Sequence, residues 1–232
     1  MTKQQQNSEQ FNDIVNRILP RVRRYVAQRL RMAVIDGILG PGLYRPEDIT
    51  DEVFIRLKEE FDNGTLPLDK VKVAMFRLAD QELERILTEA RGHVDDVSIE
   101  QIQVEEMREL EEKYSVDAEG ELVLYEEFDD ISYQHDRERK TIYLLEPGFE
   151  NDLIKALDLE ESRAVAATEV RQLLAHAYQE LPRLAGAIIS LHVAGGLSPE
   201  EIAEVRDMDV QDVETIIARI RVRFTAVLTG LR

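Results

Sequence analysis

The chain has 232 residues, with 47 acidic and 29 basic side chains and a formal net charge of −18, and it contains neither cysteine nor tryptophan. The length suits two small domains, and the absence of cysteine excludes disulfides, thiolate metal sites and cysteine nucleophiles. No apolar run approaches the roughly 20 residues of a membrane span, and the polar start does not resemble a signal peptide, so we expect a soluble, cytoplasmic protein.

The negative charge is concentrated in the middle of the chain. Residues 93–165 hold 23 acidic and 7 basic residues, whereas residues 1–92 hold 15 of each and residues 166–232 hold 9 acidic and 7 basic ones. This distribution predicts two nearly neutral domains, 1–92 and 166–232, joined by an acidic linker, 93–165.

The first predicted helix runs from Glu9 to Asp36, after a polar tail. Its apolar residues recur on one face with helical spacing: Ile14, Ile18, Val22, Tyr25 and Val26. Four arginines form a stripe on the opposite face: Arg17, Arg21, Arg24 and Arg31. The stripe is either a solvated face or a surface for phosphate or an acidic protein. We expect Pro20 to kink this helix or to divide it in two.

The second predicted helix is the segment RPEDITDEVFIRLKEEF, from Arg45 to Phe61. Pro46 and Glu47 suit a helix start, because proline fits the first helical position and acids suit the positive end of the helix dipole. Ile49, Val53 and Leu57 form the buried stripe, flanked by Phe54 and Phe61. The residues predicted to face outward are charged: Asp48, Asp51, Glu52, Arg56 and Lys58.

The third predicted helix extends from Asp69 to Arg91 and is amphipathic. It contains the segment FRLADQELER, in which Phe76 is the only aromatic residue and acids balance the arginines. After it, Ser98 to Lys113 reads as a charged helix. Glu121 to Glu127 and Thr141 to Leu145 are predicted as two strands that either form a hairpin or pair elsewhere. Ser115 to Glu126 only partly follows the spacing of a calcium-binding loop, so we expect no metal site there.

Two short helices with almost nothing between them follow a predicted helix over Ala166 to Glu180 and a further helix that stops at Gly195-Gly196. Ser198, Pro199 and Glu201 form a capping box that starts the first of the pair. Ile202, Ala203 and Val205 make its buried face. After a turn at Arg206 to Asp209, a second helix carries apolar residues at Val210, Val213, Ile216, Ile217 and Ile220. The pattern predicts a helix-turn-helix, with Asp207 in a conformation that usually favours glycine.

The run LPRLAGAIISLHVAGGLSPEEIAEV resembles region 4 of bacterial sigma factors, the domain that contacts the −35 promoter element. The segment Arg45 to Phe61 resembles their region 2.2 helix, which docks on the clamp of the largest RNA polymerase subunit. Over about residues 10–91 and 166–228 the chain is similar to the extracytoplasmic-function class, whereas the linker resembles that of the family only in position and charge. The resemblance implies core RNA polymerase (clamp and second-subunit flap) and promoter DNA as partners. It also implies a set of polymerase-binding residues: Asp48, Asp51, Glu52, Phe54 and Arg56. Phe54 is either such a contact or purely a core residue.

The same resemblance implies DNA-binding residues on the third helix and on the last helix: Arg77, Gln81, Arg85, Gln211, Thr215, Arg219, Arg221 and Arg223. Acidic residues stand beside them, among them Glu82, Asp212 and Glu214. Because negative side chains repel phosphate, we expect weak DNA recognition, or recognition assisted by another protein.

The predicted fold is mainly α, with a sigma region 2-like domain and a helix-turn-helix region 4-like domain joined by the acidic linker. The predicted function is a sigma factor that directs transcription initiation, regulated by an anti-sigma factor or a DNA-targeting protein. A sigma mimic that sequesters an anti-sigma factor is the alternative, and a helix-turn-helix repressor with an unrelated N-terminal domain is a third. The four histidines have no metal-ligand spacing and no nucleophile stands beside a base, so we expect neither an enzyme nor a cofactor.

Overall fold

The computed structural model of the protein describes residues 3–91, 114–116, 122–124, 148–159 and 167–229. These residues are mainly helical, which confirms the predicted class. The helices are α1 (Lys3–Ile35), α2 (Pro46–Asp62), α3 (Val71–Arg91), α4 (Phe149–Ala156), α5 (Ala167–Gln179), α6 (Arg183–Val193), α7 (Pro199–Arg206) and α8 (Val210–Thr229). A 3₁₀ turn, Leu68–Lys70, precedes α3, and the strands are β1 (Tyr114–Val116) and β2 (Leu122–Leu124).

The chain forms two compact units, and each unit is built from two separate stretches of the sequence. One unit comprises Met1–Asp95 and Ile188–Glu214, and the other comprises Asp96–Ala187 and Thr215–Arg232. The first unit therefore combines the three N-terminal helices with α7 and the start of α8. The predicted division at residues 92 and 165 differs from this partition and stays a prediction about domains.

The core of the first unit lies where α1, α2 and α3 pack against one another. Of the five residues of the predicted inner face of α1, Ile14 is half-buried and the other four are buried: Ile18, Val22, Tyr25 and Val26. The helix runs through Pro20 without dividing. Proline removes one backbone hydrogen bond, to the carbonyl of Asn16, but Asn16 and Pro20 both face solvent, where water can satisfy that carbonyl.

Helix α2 begins at Pro46 because the residue before it, Arg45, keeps an extended backbone and proline fits the first helical turn. Ile49, Val53 and Leu57 are buried, as the spacing predicts. At the far end of the helix, Phe61 stacks on Phe11 of α1 with ring centroids 4.4 Å apart. These contacts fix which face of α2 is turned outward.

The second unit includes a helix that the sequence did not predict. Helix α4 lies inside the expected acidic linker, and its residues Phe149 and Leu153 are buried. The Phe149 ring packs edge-on against Tyr178 of α5, with centroids 5.5 Å apart. Part of the expected linker is therefore packed structure.

Strands β1 and β2 pair antiparallel, with Ser115 opposite Val123. The predicted strand at Glu121 to Glu127 is thus present over Leu122–Leu124, but it pairs with Tyr114–Val116. The other predicted strand, Thr141 to Leu145, and the charged helix at Ser98 to Lys113 lie outside the described residues.

Candidate binding surfaces

The outward face of α2 carries most of the predicted polymerase-binding residues. Asp48, Asp51 and Glu52 are exposed, and Phe54 is 36% exposed. Arg56 is half-buried, with its guanidinium 3.8 Å from Glu82 of α3. The alternative that Phe54 is purely a core residue is therefore wrong. These five side chains lie on one helix, and their contact with polymerase stays a prediction.

Three exposed apolar residues near this face were missed by the sequence analysis. Ile55 is 53% exposed, and Leu43 and Tyr44 in the loop before α2 are 65% and 38% exposed. Ile55 follows Asp51 by four positions and Glu52 by three, so the three side chains lie on the same side of the helix. That spacing is the signal in the sequence that places Ile55 on the outward face. The α2 surface thus has an apolar centre beside carboxylates.

Helix α3 presents fewer side chains that could contact DNA than the resemblance implies. Phe76 is fully buried, with its ring centroid 6.0 Å from that of Tyr25, so it is not available to stack on a base. Gln81 is exposed. Arg85 is also exposed, but it pairs with Glu82 at 2.5 Å and with Glu89 at 2.7 Å. The hydrogen bond from Arg85 lowers the pKa of Glu82, which keeps that carboxylate charged.

A largely buried polar cluster joins α7 to α1 and α3, and helical periodicity does not reveal it. Tyr25 donates a hydrogen bond to Asp80 at 2.5 Å. Arg206, at the end of α7, places Nε 3.1 Å from Asp80 Oδ2 and donates from Nη2 to Glu84 at 3.2 Å. Arg29 also donates to Glu84, at 2.9 Å. The Arg206 to Asp80 contact is an ion pair whose angle is poor for a hydrogen bond.

Burial and the neighbouring charges together determine the protonation states of this cluster. Removal from water, and then the negative charge of Asp80, raises the pKa of Tyr25 well above its usual value, so the phenol stays protonated and donates. Burial alone would lower the pKa of Arg206, but the carboxylates of Asp80 and Glu84 outweigh it and raise that pKa. Two arginines and two carboxylates therefore neutralise one another around a neutral tyrosine.

Beside this cluster, cations of the 3₁₀ turn and of the first two turns of α3 contact carboxylates of α7. Lys70 Nζ lies 2.8 Å from Glu204 Oε1, and Lys72 Nζ lies 2.6 Å from Glu201 Oε2. Arg77 donates to the backbone oxygen of Glu204 at 3.0 Å and lies 3.8 Å from its carboxylate. Arg77, a predicted DNA-binding residue, is therefore occupied by α7.

The start of α7 is built as the sequence predicts. The Ser198 side chain accepts from the backbone nitrogen of Glu201 at 3.3 Å, and the Glu201 carboxylate accepts from the backbone nitrogen of Ser198 at 3.1 Å. Asp207 ends the helix in the left-handed conformation, with φ 55° and ψ 49°. Ile202, Ala203 and Val205 are buried. The capping box and the strained turn are both confirmed.

The glycine pair before α7 allows a close approach to the N-terminal helices. A Cβ at Gly195 would lie 2.5 Å from the backbone oxygen of Leu191 and 2.9 Å from Cε1 of Phe76. Gly196 has a positive φ of 64°, and a Cβ there would lie 3.3 Å from Nη1 of Arg21. Arg21 of the predicted arginine stripe thus lies against this turn. Of the other stripe residues, Arg17 is exposed and Arg24 and Arg31 are half-buried.

Asp209 directly precedes helix α8, and its carboxylate accepts from the backbone nitrogen of Gln211 at 2.8 Å. Gln211 and Thr215 are exposed, as a base-reading role requires, and Asp212 and Glu214 are exposed beside them. The first turns of the helix are therefore net negative on the surface, which disfavours phosphate.

The three arginines of α8 differ in position. Arg219 is half-buried, and Arg221 is exposed and donates to Asp158 at 2.8 Å. Arg223 is buried and donates to Glu180 at 2.8 Å. The structure contradicts the prediction that Arg223 contacts phosphate, because its guanidinium is buried and bound to a carboxylate of its own unit. The structure leaves the DNA contacts of the other predicted residues as predictions.

A capped short helix, a tight left-handed turn and a following longer helix define the helix-turn-helix class of DNA-binding proteins. Residues 171–224 match the family model for Sigma-70, region 4. The matched segment is less than a quarter of the chain, and its similarity to region 4 indicates a sigma-factor-like DNA-binding role for these residues. No curated protein and no solved structure matches the chain significantly.

In the part of the chain that the structure describes, no helix is long and apolar enough to cross a bilayer. Within the same residues, no group of three or more histidine or carboxylate side chains is placed to hold a metal ion.

Proposed function

We propose that this protein is a cytoplasmic sigma factor of the extracytoplasmic-function type, without catalytic activity, that binds core RNA polymerase and recognises promoter DNA weakly or with the help of another protein. The observation that carries the proposal is the outward face of α2 in a chain whose residues 171–224 match region 4. That face exposes Asp51 and Phe54, the two residues on which polymerase docking depends.

The chemistry of the α2 face suits a protein partner. Phe54 and Ile55 supply an apolar centre, and Asp48, Asp51 and Glu52 surround it with negative charge. Binding energy at protein interfaces is concentrated in a few apolar and aromatic residues, whereas surrounding charges speed and orient the encounter. A partner surface that complements this face would carry basic and apolar side chains.

Weak promoter recognition is supported by the two helices that would read DNA. Phe76 is buried, so α3 has no aromatic side chain for an unstacked base. The first turns of α8 expose Asp212 and Glu214 beside Gln211 and Thr215. Specific base contacts at those positions would form against like-charge repulsion, which a recruiting protein would offset.

The test is a pull-down of the purified full-length protein with core RNA polymerase at low salt, followed by run-off transcription. We expect the wild-type chain to be retained and to support transcription. The variant Asp51→Ala/Phe54→Ala should bind at least about tenfold more weakly, because it removes the charge and the ring at the centre of the face. Val222→Ala is the control, since Val222 is an apolar residue on α8 whose exposure, 42%, is close to the 36% of Phe54.

Failure of the wild-type protein to associate with core polymerase would reject the proposal. Retention of both variants to the same extent would reject α2 as the docking surface. Footprinting of the complex on promoter DNA tests the recognition step, where a sharp preference at both the −35 and −10 elements would contradict weak recognition.

A sigma mimic that sequesters an anti-sigma factor is the second candidate. The burial of Phe76 and the acids on α8 favour it, because a mimic keeps the fold without the DNA contacts. Binding to core polymerase separates the two functions, since a mimic has no use for that contact.

A further inference from the structure

Three cations in the 3₁₀ turn and the first two turns of α3 lie in the first unit, and all three contact glutamates of α7. Lys70 and Arg77 contact Glu204, and Lys72 contacts Glu201. The lysines and the arginine retain 48%, 30% and 42% of their side-chain exposure, so solvent and ligands reach them. The two lysines lie 2.6–2.8 Å from carboxylate oxygens, a distance at which such cations also hold phosphate oxygens, and Arg77 lies 3.8 Å from the Glu204 carboxylate.

We infer that α7 is an internal substitute for nucleic acid, in which Glu201 and Glu204 occupy a phosphate-binding site formed by Lys70, Lys72 and Arg77. A phosphate backbone that binds α3 displaces the two carboxylates, so each state excludes the other. The inference rests on the proposed function, because it adds regulation to the DNA-binding role of α3. The two lysines have no role in the sequence-based prediction.

The ion pairs of Glu201 and Glu204 are weak enough for phosphate groups to replace the two carboxylates. Ion pairs between partly exposed side chains are individually weak and are screened by salt. A nucleic acid presents many phosphates and releases its counterions when cations replace them, so it competes well with two carboxylates. The buried contacts of Arg206 with Asp80 and Glu84 keep α7 beside the site, which makes it an effective local competitor.

The measurement is the affinity of the full-length protein for a fluorescein-labelled, mixed-sequence single-stranded 20-nucleotide DNA, followed by fluorescence anisotropy over a salt titration. The variant Glu201→Gln/Glu204→Gln removes both competing charges. Glutamine at position 201 still completes the capping box, so α7 is retained. We expect an affinity gain of about tenfold at low salt that shrinks as salt is raised.

The matched control is Glu9→Gln/Asp13→Asn, which removes the same charge from two exposed positions on α1. We expect less than about a twofold gain, because these residues act only through the overall field. Adding Lys72→Ala and Arg77→Ala to the glutamine variant should abolish its gain. The single variant Glu204→Gln provides a milder test if the double variant folds poorly.

An equal gain for the two double variants would overturn the inference, since overall charge would then explain it. An affinity of Glu201→Gln/Glu204→Gln equal to that of the wild type would overturn it as well. The oligonucleotide assay contains no polymerase. If the DNA affinity of Glu201→Gln/Glu204→Gln rises but the wild type does not bind core polymerase, the inference stands and the proposed function is rejected. If the wild type binds core polymerase but the DNA affinity of the variant does not rise, the proposed function stands and the inference is rejected.

Discussion

Helices α2 and α3 are both amphipathic, but they leave different surfaces for partners. Helix α2 is packed on one side only, so Asp51, Phe54 and Ile55 face solvent. Helix α3 is covered by α1 and α2 and by α7 as well, which buries even the polar Asp80. The comparison shows that one-sided packing preserves a docking face, whereas packing on several sides converts polar positions into internal contacts.

The largest expected effect comes from removing the arginine that joins α7 to α3. Arg206→Ala should lower the free energy of unfolding by about 3–5 kcal/mol, because Asp80 loses its cationic partner in a buried site. Urea denaturation followed by circular dichroism measures the change. Arg85→Ala, which breaks exposed pairs on the same helix α3, should cost less than about 1 kcal/mol. Equal losses for the two variants would mean that the cluster does not stabilise the unit.

A second effect tests how closely the turn before α7 approaches α3. Gly195→Ala should lower stability by about 1–3 kcal/mol, because the new Cβ meets the Leu191 carbonyl and the Phe76 ring. Gly186→Ala is the control, since a Cβ inside α6 meets nothing within 4 Å. Alanine is the better helix former by about 1 kcal/mol, so this variant should be stabilised. Thermal unfolding that shows no difference between the variants would contradict the close approach.

A third effect depends on pH and concerns Tyr25. Tyr25→Phe removes the hydrogen bond to Asp80 and should cost about 1–3 kcal/mol near pH 7. Burial, and then the charge of Asp80, raises the pKa of Tyr25 above the value of about 10 expected in the unfolded chain. The stabilisation is therefore fully present below pH 10 and is lost as the pH rises from there towards the pKa of the folded state.

Urea titrations at pH 8, 9, 10 and 11 measure this dependence. The difference in stability between wild type and Tyr25→Phe should stay constant up to about pH 10 and shrink above it. The other tyrosines are common to both proteins, so the difference isolates Tyr25. A difference that grows above pH 10 would contradict a raised pKa.

Much of the local structure could be predicted from the sequence, because it depends on near neighbours. The capping box at Ser198 and Glu201, the left-handed Asp207 and the buried stripe of α2 all follow from spacing within one or two helical turns. The exposed carboxylates of the α2 face follow from the same periodicity: Asp48, Asp51 and Glu52. These features could be read in advance since each is fixed by a few adjacent residues.

The contacts between distant segments could not be predicted in the same way. Arg206 stands in a polar turn and Asp80 in a charged stretch, and periodicity does not show that the two side chains meet in the interior. The pairs of Lys72 and Lys70 with α7 were missed for the same reason. The unit that contains α7 also differs from the predicted domain, because tertiary packing overrides the order of the sequence.

The smallest effect on folding is expected on the exposed face of α2. Phe54→Ala and Ile55→Ala should each change the free energy of unfolding by no more than about 0.5–1 kcal/mol, because both side chains keep substantial exposure. The adjacent Val53 is fully buried, and Val53→Ala should cost about 1–3 kcal/mol. If Phe54→Ala costs as much as Val53→Ala, the phenylalanine acts in the core. If it costs little while core polymerase binding falls, the exposed ring is reserved for the partner, and α2 and α3 differ in function as they do in packing.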